Sequence, residues 1–233
     1  MCRAYTRQRE RGEVGQPSGA GTIRRELGVL TAAINIAVKW KRLPKEHAPF
    51  VEMPAPPPPK DLWLTRDEIT NLIKCADPRI ADFVSLAYWT ASRRTAIEKL
   101  TGFQVDLDNG RINLNPQGRA QTNKRRPIVP IAAELRPTIE RLMTGWTSGP
   151  LLGGASIRKG FARAVAAAGC PGVTPHTLRH SRAVHLAQAG VSIYAIAGLL
   201  GDSIATVERN YLHHCPDHLA ATIVSESTKG GGV

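Results

Sequence analysis

The chain has 233 residues, 42% of them hydrophobic, which is enough to bury a core in one or two domains and too apolar for a disordered tail. Lys and Arg outnumber Asp and Glu by 31 to 19, a formal charge of +12 that suits a polyanionic partner. Cys2, Cys75, Cys170 and Cys215 are scattered without CxxC spacing and read as reduced thiols. No apolar run reaches the length of a membrane span, and no signal-peptide core opens the chain, so the expectation is a cytoplasmic, DNA-associated protein.

Residues 1–21 are polar and Arg-rich without a period, and read as a loop or frayed helix. Thr22 is the expected cap of a helix over 23–40, with Ile23, Leu27, Leu30, Ile34 and Ala37 on one apolar stripe. One or two helices cannot make an independent core. The run MPAPPPPK at 53–60 must be extended and stiff, and reads as a linker. After it, Thr65 and Glu68 form a capping box and Leu64 and Ile69 a hydrophobic staple, so a helix starts there. Asp77-Pro78 ends that helix, and the apolar stretch Ile80 to Trp89 makes the next.

Arg111–Asn115 alternates apolar and polar, and Pro127–Ile131 is a second short β-like run. The basic segment QGRAQTNKRR between them therefore reads as a long hairpin loop, carrying Arg119, Lys124, Arg125 and Arg126. Helices are expected over 132–144, with Leu135, Ile139 and Leu142 inward, and over 156–168, with Ile157, Phe161 and Val165 inward.

The most informative stretch is 174–214. Thr174 as N-cap, Pro175 at the first helical position and Gly190 as the stop mark a helix over 175–189, which puts His176 and Arg179 on one face. Ser192 caps a second helix with Ile193, Ile196, Ala197 and Leu200 on its apolar stripe, ended by Gly201. Ser203 caps a third, with Ile204 and Val207 expected inward and Tyr211 near the end of the same face. Beyond it, Pro216 starts a short last helix to about 223, and 226–233 read as a flexible tail. His213, His214, Cys215 and His218 match no standard metal spacing, and no metal or other cofactor is expected.

His176-x-x-Arg179 followed by Tyr211 about thirty residues on resembles the diagnostic box of the tyrosine recombinase (phage integrase) family. Thr90-Ala91-Ser92-Arg93 resembles that family's first box, in which Gly usually stands at the Ala91 position and Glu at the Ala96 position. The resemblance implies a mainly α fold with a small β-hairpin or sheet (α+β). It also implies a tyrosine recombinase-like catalytic domain over 61–225, preceded by a partial helical core-binding region over 1–52. Family members carry about four helices in that region, so the chain reads as N-terminally shortened.

By the same resemblance, Arg93, Arg179 and His176 hold the scissile phosphate and Tyr211 attacks it, giving a 3′-phosphotyrosine that stores the bond without an energy source. Two guanidiniums can bind phosphate oxygens bidentately and offset the charge on five-coordinate phosphorus, each worth about 3 kcal/mol. His176 can take the tyrosine proton, and a hairpin-loop lysine protonates the leaving 5′ oxygen; the register falls near Asn123, with Lys124 the nearest lysine. Arg94, Arg119, Arg125, Arg126 and His180 are expected to contact DNA. Asp202 stands where the family usually has His. It is placed among the catalytic positions, either as an acceptor that orients Arg179 or His180 or as the mark of a weakened site.

The implied partner is double-stranded DNA, engaged by a homo-oligomer in which the terminal helix can contact a neighbouring copy, with integration or excision of a mobile element as the outcome. Two alternatives stay open: an impaired DNA-binding remnant, motivated by Ala96, Asn123 and Asp202, and a non-enzymatic helix-turn-helix protein built on 175–189 and 192–200.

Overall fold

The structure, a computed structural model, describes residues 2–57, 61–116, 118–120 and 125–215. Lys124, Asn123, His218, part of the proline run, the expected last helix and the tail lie outside the described residues. The chain divides into two compact units, Met1–Asp61 and Leu62–Val233.

In the first unit, helix α1 (Cys2–Arg11) forms where a loop or frayed helix was expected. Polar contacts account for it. Arg9 pairs with Glu26, Tyr5 donates to the same carboxylate at 3.0 Å, and Arg3 pairs with Glu52. Helix α2 (Ala20–Lys39) begins three residues before the expected start, after Gly19, and Thr22 does not cap it. Its stripe is only partly covered, because Ile23 and Leu27 are buried while Leu30 is 44% exposed.

The second unit starts as the capping signals require. Helix α3 (Arg66–Lys74) has both bonds of the Thr65–Glu68 box, and Leu64 and Ile69 are both buried. Asp77 caps α4 (Pro78–Trp89), and Pro78 fills the first helical position, where its missing N–H costs nothing. Phe83 of α4 meets Phe161 of α7 (Arg158–Ala167) edge to face with centroids 6.0 Å apart. The helices approach closely because Gly160 lacks a Cβ, which would lie 2.7 Å from Ile80. Helix α5 (Arg94–Glu98) follows, with Arg93 at its N-cap rather than inside it. The expected hairpin is a three-stranded antiparallel sheet, β1 (Val105–Asp106), β2 (Arg111–Asn113) and β3 (Ile128–Pro130), with Ile112 opposite Val129 and both buried. The two-residue β1 is too short to show a period. Helix α6 (Arg136–Met143) starts four residues later than expected, because 132–135 turn before Pro137 enters the first helical turn.

A second, smaller cluster carries the site. Helices α8 (Pro175–Gln188), α9 (Ile193–Leu200) and α10 (Ile204–Tyr211) pack Ala183, Val184, Ala187, Ile196, Ala197, Leu200, Val207 and Tyr211 around Ala91. Small residues let these helices come close. Thr174, Ser192 and Ser203 occupy the three N-caps, and Gly190 and Gly201 take the left-handed conformation at the stops, with φ 73° and 64°. Ile204 is 40% exposed, contrary to the inward expectation, because it is the first residue of α10, at the helix end. Val207 and Tyr211, four apart, make the buried face instead.

Candidate active site

Helix α8 brings Arg179 inward. Its side chain is 3% exposed, and Nη1 donates to the carbonyls of Ala91 at 2.9 Å and Leu200 at 2.8 Å. Those carbonyls are available for separate reasons. Ala91 adopts a left-handed φ of 50°, which turns the chain between α4 and α5. Leu200 ends α9, where the last carbonyls lack helical partners. Nη2 of Arg179 reaches Oδ2 of Asp202 at 2.5 Å. Arg93 meets the other oxygen of the same carboxylate, Nη2 to Oδ1 at 2.7 Å, and donates through Nη1 to the carbonyl of Arg125 at 2.9 Å. One carboxylate therefore bridges two guanidiniums from distant parts of the chain.

Gly201 makes the junction possible. A Cβ there would lie 2.9 Å from the Arg125 carbonyl oxygen, so a side chain would push the basic limb of the sheet away from the end of α9. Arg126 belongs to the same positive neighbourhood. Burial lowers its pKa, and the charges of Arg119 and Arg93 lower it further. Several positive charges are thus gathered in this neighbourhood.

His176 lies within electrostatic reach of Arg179, His180, Arg93 and Asp202. Although it keeps an exposed edge, the protein around its ring holds its pKa below the ordinary value, with repulsion from Arg179, His180 and Arg93 adding to the effect and Asp202 opposing it. It is thus neutral at pH 7 and able to accept a proton. Burial also pushes Arg179 down, opposed by Asp202, although an arginine stays charged. Tyr211 is 6% exposed and interacts electrostatically with Arg179. Its ring packs against His180 with centroids 5.1 Å apart, and His214 lies 6.4 Å from His180.

Of the residues singled out from sequence, Arg93, His176, Arg179, His180, Asp202 and Tyr211 come together here, with Arg125 and Arg126 at the edge. Arg94 is engaged with Glu98 at 3.6 Å, and Arg119 donates to Asn115 at 2.7 Å. Lys124 lies outside the described residues. The sequence reading missed the carbonyl cradle of Arg179. Its only available signal was the turn at Ala91, since backbone acceptors carry no sequence signature.

Two guanidiniums, a buried phenol and a neutral imidazole are gathered here, and guanidiniums are the side chains best suited to hold an oxyanion. In comparison with known proteins, residues 62–218 match the Phage integrase family, and the chain belongs to that family. It is 26% identical over 233 aligned residues to the integrase of Salmonella phage P22, covering 88% of this chain and 57% of that protein. It is 28% identical over 225 residues to tyrosine recombinase XerC of Mycobacterium sp. (strain KMS), covering 84% of this chain and 74% of that one. The solved Tn1549 transposon integrase in complex with circular intermediate DNA shares the fold, with a TM-score of 0.73 at 18% identity over 95% of this chain and 83% of that one. Among the described residues, no helix is long and apolar enough to cross a membrane.

Proposed function

We propose that the protein is a site-specific DNA recombinase that cleaves and rejoins DNA through a 3′-phosphotyrosine intermediate. The observation that carries this reading is the convergence of Arg93 and Arg179 on one anion beside the buried Tyr211. In this scheme Tyr211 attacks the scissile phosphate, forming the phosphorus–tyrosine bond as the bond to the 5′ oxygen breaks. The two arginines stabilise the charge on the five-coordinate phosphorus, and neutral His176 takes the phenol proton. Lys124 is assigned the proton for the leaving oxygen from the family resemblance alone. The same bond, attacked by a 5′ hydroxyl, is passed back to DNA without an external energy source.

Arg94, Arg119, Arg125, Arg126 and His180 are assigned to the DNA backbone, supported by the gathering of positive charge around Arg126. We read residues 1–52 as a partial core-binding region, 53–60 as a linker and 61–225 as the catalytic domain. Each copy carries one Tyr211, whereas exchanging two duplexes breaks several strands, so the reading implies several copies on DNA. The reaction is placed in the cytoplasm, and it serves integration or excision of a mobile element.

A helix-turn-helix reader fits less well. The second helix of the pair, IYAIAGLL, offers only the tyrosine hydroxyl for hydrogen bonding to base edges, with no charged or amide side chain. An impaired DNA-binding remnant is favoured by one observation, the engagement of both arginines by the Asp202 carboxylate. Incubation with supercoiled plasmid and nicked duplexes bearing the element's ends, followed by denaturing electrophoresis, separates the two readings. A covalent protein–DNA adduct that disappears with Tyr211→Phe is expected. DNA binding with no adduct on any of these substrates would establish the remnant.

A further inference from the structure

We propose that the Asp202 carboxylate stands in the oxyanion position of the Arg93–Arg179 pair, as an internal surrogate that an incoming phosphate displaces. This deepens the reading above, because the phosphate it stands in for would be the scissile one. The geometry is that of a bound anion rather than of a simple ion pair. Oδ1 takes Nη2 of one arginine at 2.7 Å, and Oδ2 takes Nη2 of the other at 2.5 Å. A phosphodiester likewise presents two oxygens sharing one negative charge, and guanidiniums bind both kinds of anion through the same N–H groups.

Access follows from burial. The side chain of Arg179 is 3% exposed, against 22% for Asp202 and 29% for Arg93. The carboxylate is thus more open to solvent than the arginine it covers, and the Nη2 of Arg179 that it occupies is the one an incoming anion would have to take over. Asp202 is also placed to leave. It follows the left-handed Gly201 and precedes the Ser203 cap of α10, in a three-residue joint outside both helices, so turning the side chain disturbs no helical hydrogen bond.

Without Asp202 the two guanidiniums would face one another with no shared counter-charge, one of them almost fully buried. That arrangement destabilises the fold and binds any small oxyanion that fits. Binding of such an anion, at free concentration c, to the folded state alone raises stability by RT ln(1 + c/Kd), which makes melting temperature a readout independent of DNA cleavage.

The test uses the full chain with Asp202→Ala, the isosteric Asp202→Asn and the charge-retaining Asp202→Glu. Each is melted and titrated calorimetrically with inorganic phosphate against sodium chloride of equal ionic strength. Asp82→Ala is the control, since it removes the partner of another arginine, Arg141, in the same unit. The wild type, Asp202→Glu and the control are expected to show no specific response to phosphate. Asp202→Ala and Asp202→Asn are expected to melt lower in chloride, to recover in phosphate and to bind it at least about tenfold more tightly than the wild type. If Asp202→Ala folds only in phosphate, that dependence is itself the expected result. Variants that bind phosphate no better than the wild type, or that chloride restores equally, would overturn the proposal and leave Asp202 as a brace. A covalent adduct without any gain in phosphate binding sinks this inference alone, whereas the gain without an adduct on any DNA tested sinks the recombinase reading alone.

Discussion

Arg9 in the first unit and Arg179 in the second are both held by carbonyls and a carboxylate, yet they are used differently. Arg9 spends all five of its N–H donors on the protein: Nε and Nη2 on Glu26, Nη1 on the carbonyls of Val14 and Gln16, and Nη2 again on Ser18. It closes the turn between α1 and α2, and that unit has little apolar core to do so otherwise. Arg179, more deeply buried, has protein acceptors for three donors among the described residues, with Nε and one Nη2 hydrogen left over. A saturated arginine is a structural clamp. A buried arginine with donors in reserve beside a carboxylate is what the proposed exchange of Asp202 for phosphate requires, which ties its burial here to the proposed function.

Arg179→Lys keeps the charge but loses the fork, and should lower the rate of covalent adduct formation about 100-fold or more per folded molecule. Arg9→Lys should leave that rate unchanged and instead speed hydrogen exchange in α1 and α2; a loss of adduct with Arg9→Lys would erase the distinction. Gly201→Ala imposes a left-handed alanine against the Arg125 carbonyl and should cost about 1–3 kcal/mol in chemical denaturation, moving Arg125 with it.

Smaller still is the response to acid. His185 is 6% exposed, with Nδ1 2.8 Å from the Tyr88 hydroxyl. Burial, aided by the charges of Arg66 and Arg182, holds its pKa below the ordinary value, and His176 is lowered as well. The unfolded chain binds these protons near pH 6.5 while the folded chain resists them, so stability is full above that pH and falls as pH drops through and below it. Melting curves between pH 8 and pH 5 check this, and a flat profile contradicts it. The smallest effect is expected for Ala91→Gly. Relief of the left-handed backbone is worth about 1–2 kcal/mol, and the lost buried methyl costs about 0.8 kcal/mol, so a net gain of about 0.2–1.2 kcal/mol should appear in the denaturation midpoint.

Much of this was legible in the chain because the signals were local. The box Thr65–Glu68, the break at Asp77-Pro78, the caps Ser192 and Ser203, and the stops Gly190 and Gly201 act within one turn of backbone, and each element begins or ends there. The spacing of His176 and Arg179 placed both on one helix for the same reason. Elements held by partners beyond one turn of backbone were left open or missed. Helix α1 is secured through Arg9 and Glu26, seventeen residues apart, and β1 through its pairing with β2, neither of which leaves a period in the sequence.

The residue types that could handle a phosphate, and the order in which the chain presents them, were thus determined by the sequence alone. Only the tertiary structure decided that Arg93 and Arg179, eighty-six positions apart, share one carboxylate from Asp202, and that two backbone carbonyls aim the buried one. The reason is physical. A cap or a stop is a bond between near neighbours, whereas an anion site is a balance of charge and desolvation among groups that only folding brings within a few ångströms of each other.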